Sequence, residues 1–190
     1  MSRSKIKSLQ GSLQALVNLL YETRVKNLII GGIAASILGK ARFTADIDGL
    51  ILLPDEDMED FLKKAVRHGF LSRITKAIEF ARKNRMLLLK HKATGINIDL
   101  SLALLPFEIE SLNRGKVFKT GKLALYLPTP EDLIIMKAVA HRPIDLEDIR
   151  SILEVNPNLD FKRIKCWVKE FAKILEMPEI FGDIKKLLPK

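Results

Sequence analysis

Residues 28–54 read LIIGGIAASILGKARFTADIDGLILLP, and the fold turns on them. An apolar run, Leu28, Ile29 and Ile30, stops at Gly31-Gly32 and is followed by the small, helix-compatible residues 33–38. That order predicts a strand, a tight turn and a helix. A second apolar run carries Asp46 and Asp48 with Ile47 between them, continues through residues 50–53 and closes at Pro54. Side chains alternate along a strand, so the two aspartates share one face while Ile47 points into the core. Two carboxylates on one face, close to a glycine turn that opens a helix, suit a metal ion and a phosphate.

Outward from this stretch, residues 6–25 form an amphipathic helical pattern through Ile6, Leu9, Leu13, Leu16 and Leu20. The loop 40–44 brings a cation, Arg42, and a hydroxyl, Thr44, up to the aspartate strand. Five acids within residues 55–60 open a helix that ends near Gly69 with Lys63, Lys64, Arg67 and His68. Acid first and base last complements the helix dipole. Residues 75–84 predict a further helix and residues 86–89 a buried strand, with a turn at 93–95. Then Ile96, Ile98, Leu100 and Leu102 alternate with Asn97, Asp99 and Ser101, which sets Asp99 on the polar face of an apolar strand.

Residues 105–114 predict a helix, and short strands follow at 117–118 and 123–127. Thr129-Pro130-Glu131-Asp132 is a helix start, with an N-cap hydroxyl, proline at the first position and acids in the first turn. Helical patterns continue at 131–141, 145–153 and 160–175, with a short piece at 180–188. Asp145 and Asp148, on their own, read as helix-start charges, and Lys137 on its own is equally a surface lysine. The expected organisation is therefore an α/β core over residues 1–127 and a helical region over 128–190, packed together as one unit.

At 190 residues, 47% hydrophobic and 29% charged, the chain has the composition of a globular domain with a sizeable core. The basic start MSRSKIK leads into no apolar core, and no apolar run approaches about 18 residues, so neither a signal peptide nor a membrane span is expected. A cytoplasmic location follows as the expectation. Cys166 stands alone, which excludes an intrachain disulfide; it reads as a small buried helix residue. His68, His91 and His141 lack any spacing suited to zinc. The net charge of +9 is concentrated: residues 63–92 hold ten Lys or Arg against the single acid Glu79, and the remainder balances at 22 against 22. Such a segment is an electrostatic footprint for a polyanion or a set of solvated helix faces.

The order Ile30-Gly31-Gly32, a spacer of residues 33–45, then Asp46-Ile47-Asp48 resembles the signature of the DNA polymerase β-like nucleotidyltransferase superfamily. The resemblance implies an α+β nucleotidyltransferase fold, a mixed β-sheet flanked by helices with a C-terminal helical region. It also implies transfer of a nucleoside monophosphate from a nucleoside triphosphate to an acceptor, with two Mg²⁺ ions, or Mn²⁺ in their place. Asp46 and Asp48 would hold the metals, and Asp99, which matches the third carboxylate that the superfamily supplies from a neighbouring strand, would help bind the metal nearer the acceptor and assist its deprotonation. Gly31 and Gly32 would receive phosphates, with Arg42 and Lys137 as cations for the triphosphate and Thr44 as a lesser polar contact.

Residues 127–153, LPTPEDLIIMKAVAHRPIDLEDIRSIL, are similar to the C-terminal region of small bacterial and archaeal nucleotidyltransferases related to the abortive-infection (AbiEii-like) toxin group. Their shared features fall at Lys137, Arg142, Asp145 and Asp148, while Ile144 stands where a lysine commonly precedes the first aspartate. RNA such as a transfer RNA end, a protein side chain and a small hydroxyl compound are all open as acceptors, and the basic segment favours RNA. The alternative is a regulatory or non-catalytic module with a protein partner in a toxin and antitoxin pair.

Overall fold

The structure, a computed structural model, describes residues 3–121 and 123–189, with side chains from residue 5 onward. It divides into two compact units, one of Met1–Ile33 with Thr44–Leu127 and one of Ala34–Phe43 with Pro128–Lys190. The helical unit thus takes in ten residues from the middle of the opening stretch, a grouping no local pattern in the sequence announces.

In the first unit, α1 (Arg3–Thr23) precedes β1 (Lys26–Ile29), and β2 (Ile47–Leu52) follows the excursion into the second unit. A 3-10 turn, Asp55–Asp57, leads into α3 (Met58–Arg67), β3 (Phe70–Ser72), α4 (Ala77–Asn84), β4 (Met86–His91) and β5 (Asn97–Leu102). The five strands form a mixed sheet in the order β1-β2-β5-β4-β3. Only the central pair β2–β5 runs parallel; the flanking pairs are antiparallel. β5 alternates as the sequence predicts, with Ile98, Leu100 and Leu102 buried and Asn97, Asp99 and Ser101 half-buried. The sheet core is built of Leu28, Ile29, Ile47, Ile51, Leu87, Leu89, Ile98 and Leu100, each removed from water. Side chains of this kind contribute about 1.5–3 kcal/mol apiece on full burial. α5 (Pro106–Arg114) leads to a hairpin of β6 (Lys116–Thr120) and β7 (Leu123–Leu127), which is a separate sheet. The α1 seam runs through Ser12, Leu13, Leu16, Leu19 and Leu20, and Ile6, expected on it, is exposed.

The glycine pair differs from its expected place. Gly31 and Gly32 open α2 (Gly31–Leu38) and so lie in the helix rather than in a turn ahead of it. Gly31 takes the left-handed backbone, φ 61°, so the chain reverses within the first helical residue.

In the second unit, α6 (Pro130–Ala140) is buried nearly all round, with Leu133, Ile134, Ile135 and Ala138 inaccessible. A helix apolar on every side belongs at the centre, and α7 (Pro143–Val155), α8 (Phe161–Ile174) and α9 (Pro178–Leu187) pack against it. Thr129 caps α6 by accepting the Asp132 N–H at 3.2 Å. Asp132, in the first turn as expected, is buried and accepts Arg163 Nε at 2.7 Å. Cys166 is exposed, a correction to its expected burial: it lies two residues from both Ile164 and Val168, which face inward, and so falls on the opposite side of α8. No helix among the described residues is long and apolar enough to cross a membrane.

Candidate active site

One transverse row of the sheet brings together two of the expected carboxylates. Asp48 on β2 stands opposite Asp99 on β5 in parallel register, and Leu88 on β4 stands opposite Asp99 from the other side. Backbone bonds extend the row at both ends: Ile30 N–H donates to Asp48 O at 2.9 Å, and Arg73 N–H donates to Leu88 O at 2.8 Å. Side chains of directly opposed residues lie on the same face of a sheet, so the Asp48 and Asp99 carboxylates emerge side by side. β1 delivers Gly31 to the end of this row. A Cβ built on Gly31 would fall inside the van der Waals envelope of the Asp48 carboxyl group, so the absence of a side chain there is what lets the carboxylate lie against the helix start.

Asp46 is one residue outside β2, in a bend, and is exposed. It does not share the strand alternation expected of it. The Thr44 hydroxyl donates to Asp46 Oδ1 at 2.8 Å across that bend. Asp99 is held by Arg73, whose guanidinium donates to Asp99 Oδ1. Burial pushes the Asp99 carboxyl above the ordinary carboxylate range; Arg73 opposes that push and the negative charge of Asp46 adds to it. Asp46 and Asp99 are thus near enough to repel each other.

Three carboxylates with no histidine or thiol are hard oxygen donors of the type that Mg²⁺ takes. Among the described residues, no three His, Cys, Asp or Glu side chains are gathered into a cage. Asp46 turns to Thr44 and Asp99 to Arg73. The donor chemistry fits a divalent cation, and the mutual repulsion at Asp99 is the charge imbalance that such a cation would relieve.

The other expected site residues, Arg42 and Lys137, belong to the second unit, where both meet Asp148. Arg42 donates Nε to Asp148 Oδ1 at 2.5 Å and Nη2 to Oδ2 at 2.7 Å. Lys137 Nζ lies 2.8 Å from both Asp145 Oδ1 and Asp148 Oδ2. Lys137 is 4% exposed and Asp145 0%, so neither is the surface charge that its position alone suggests. Arg142 closes the set by donating Nε to Asp145 Oδ2 at 2.6 Å. For both Asp145 and Asp148 burial raises the carboxyl, but the hydrogen bonds from Arg142, Arg42 and Lys137 outweigh it and leave both below the ordinary range. The signal in the sequence is Lys137 itself, flanked by Leu133, Ile134 and Ala138 in a helix with no polar side.

The concentrated charge of residues 63–92 resolves largely into ion pairs. Lys63, Lys64, Arg67, Arg73, Lys76, Arg82 and Arg85 meet Glu59, Asp60, Glu22, Asp99, Glu79, Asp55 and Glu108 in turn. Lys83, Lys90 and Lys92 are exposed.

A family profile described as "Nucleotidyltransferase of unknown function (DUF6036)" matches residues 5–180. Among solved structures, that of the antibiotic-resistance factor ANT(2'')-Ia in solution is similar at 15% identity and a TM-score of 0.60, over 90% of this chain and 95% of that one. An antigenic nucleotidyltransferase-like protein from Paracoccidioides brasiliensis matches at 16% identity and a TM-score of 0.56, over 97% of this chain and 94% of that one. The lincosamide antibiotic adenylyltransferase LnuA, bound to lincomycin, matches at 13% identity and a TM-score of 0.52, over 74% of this chain and 94% of that one. Likeness at such identities is one of fold. No curated protein sequence is significantly similar to this one.

Proposed function

Because this chain belongs to the nucleotidyltransferase family of unknown function (DUF6036), we propose that it is a magnesium-dependent enzyme moving a nucleoside monophosphate from a nucleoside triphosphate to an acceptor at the carboxylate row of its first unit. The acceptor oxygen attacks the α-phosphorus, a new oxygen–phosphorus bond forms, and the bond to the β-phosphate oxygen breaks to release pyrophosphate. Two divalent ions bound there would supply activation of the attacking oxygen and neutralisation of charge on the leaving group. Asp46 and Asp48 would hold the ions, and Asp99 would help bind the one nearer the acceptor and assist its deprotonation. Thr44 fixes the Asp46 carboxylate, and the backbone N–H groups of Gly31 and Gly32, at a helix N-terminus, face the triphosphate.

The observation that carries this reading is the parallel register of Asp48 with Asp99, with Asp46 two residues ahead of Asp48. RNA is the acceptor class we favour, on the net charge of +9 and the exposed Lys83, Lys90 and Lys92. ANT(2'')-Ia, solved with adenylyl-2''-tobramycin, and LnuA, solved with lincomycin, support a small hydroxyl compound as the next class to test. The similarity of residues 127–153 to the abortive-infection group supports a second reading, a regulatory module paired with an antitoxin-like protein. Retention of all three carboxylates favours the enzyme.

The test is transfer of label from each α-labelled nucleoside triphosphate, with Mg²⁺, into RNA, protein and small hydroxyl acceptors, using wild type beside Asp46→Asn and Asp48→Asn. Label entering one fraction and lost in both variants establishes the activity and names the acceptor. Labelling indifferent to both changes overturns the assignment of the site.

A further inference from the structure

We propose that Arg73 is a built-in counter-ion: it neutralises Asp99 while the site lacks metal, gives Asp99 up when a divalent cation binds, and so couples metal binding to nucleotide binding. This rests on the reading of Asp46, Asp48 and Asp99 as metal ligands and adds a residue from outside that set. Arg73 is fixed in place by its backbone. It follows the edge strand β3, its N–H is bonded to Leu88 O, and Leu88 is the β4 residue opposite Asp99. The turn around it is closed by the Ser72 hydroxyl, which donates to Ile74 O at 2.7 Å and accepts Ile74 N–H at 3.0 Å. The guanidinium is therefore aimed across one strand at the carboxylate.

This pair is more open to exchange than the Lys137–Asp145 pair of the second unit. Its side chains are 28% and 30% exposed, against 5% and 0% for Lys137 and Asp145, so water and ions reach it. A partly exposed ion pair is weak and readily replaced by a competing cation. The cation that approaches Asp46 and Asp48 needs the same Asp99 oxygens, so the two occupancies compete. A nucleoside triphosphate brings negative charge that offers the displaced guanidinium a new partner, as arginine pairs with phosphate in a planar, two-pronged geometry. Metal without nucleotide must then displace Arg73 uncompensated, and metal with nucleotide need not.

The test is Mn²⁺ binding followed by the paramagnetic resonance signal of the free ion, with and without a non-hydrolysable nucleoside triphosphate. It uses wild type, Arg73→Ala, Arg73→Lys, Asp46→Asn, Asp99→Asn and the double variant Arg73→Ala/Asp99→Asn, with thermal melts confirming folding. Without nucleotide, Arg73→Ala binds Mn²⁺ about fivefold tighter, the scale of a partly exposed ion pair. Arg73→Lys falls between, and the double variant shows no gain over Asp99→Asn. Nucleotide then raises Mn²⁺ affinity by a larger factor in wild type than in Arg73→Ala. Unchanged or weaker binding in Arg73→Ala, or an equal nucleotide effect in both proteins, overturns the proposal. Binding that ignores Asp99→Asn and Asp46→Asn alike overturns the metal site itself, a separate result. Should Arg73→Ala fail to fold, Arg73→Gln makes the same comparison.

Discussion

Asp48 and Asp99 stand directly opposite each other on the one parallel pair of strands in the five-stranded sheet. Like charges so placed repel, and Arg73, bonded to Asp99, offsets that repulsion. Asp48→Asn keeps the shape and removes the charge. It is expected to lower nucleotidyl transfer by more than the roughly 10–100-fold that loss of a supporting group around a metal costs. The melting temperature shows whether the variant keeps its fold. Transfer assays beside thermal melts check this; a variant that keeps most of its activity would remove Asp48 from the site.

Gly31 is the position where a single methyl group does most harm. Its φ of 61° strains any other residue, and the added Cβ would overlap the Asp48 carboxyl group. Gly31→Ala is expected to cost about 1–3 kcal/mol of stability and to displace Asp48, so activity falls further than stability does. Gly11 is the contrast: in the interior of α1, with nothing within 4 Å of a built Cβ, Gly11→Ala should stabilise by about 0.5–1 kcal/mol. Urea unfolding of both variants, with transfer rates, separates the two effects.

What was legible in the sequence was what repeats. The alternation through Ile98, Leu100 and Leu102 located β5 and with it Asp99, and Thr129-Pro130 marked the start of α6 within one residue. β3 escaped because three residues with only Phe70 buried have no period to read. Asp46 falls in a bend one residue ahead of β2, and the glycine pair lies within α2, backbone details that hydropathy does not encode. Charged side chains were the least readable. Lys137, Asp145 and Asp148 look like ordinary helix-surface charges until the burial of α6 and α7 forces them on one another. Arg73 was one cation of a basic run, and only strand register shows that it answers Asp99.

Lys137 neutralises two buried carboxylates at once, so removing it is expected to be more damaging than any surface change. Lys137→Met preserves most of the volume and leaves Asp145 with Arg142 and Asp148 with Arg42. Stranding a buried charge typically costs about 3–5 kcal/mol; with those second partners retained, the lower end applies. Arg42→Ala, whose side chain is 28% exposed, should cost less. Urea denaturation ranks the two, and the reverse order would show that the pair with Arg42, not Lys137, holds the cluster together.

The same cluster sets the response to acid. Asp145 and Asp148 have folded-state carboxyls below the ordinary range, since hydrogen bonds from Arg142, Arg42 and Lys137 outweigh burial. Protonation of these groups is therefore favoured in the unfolded chain, where a free aspartate titrates near about 3.9. Their contribution is fully present above about pH 5 and is lost as the pH falls below about 4 and through the folded values. Wild-type stability should accordingly be flat from about pH 7 to pH 5 on their account and fall steeply beneath. In Lys137→Met the balance tips toward burial and the folded carboxyls rise, so acid no longer penalises the folded state as strongly. The stability gap between wild type and variant should be widest near neutral pH and shrink toward about pH 3. Urea titrations of both proteins across that range measure the gap; one that stays constant or widens with acid would mean that Asp145 and Asp148 do not owe their ionised state to Lys137.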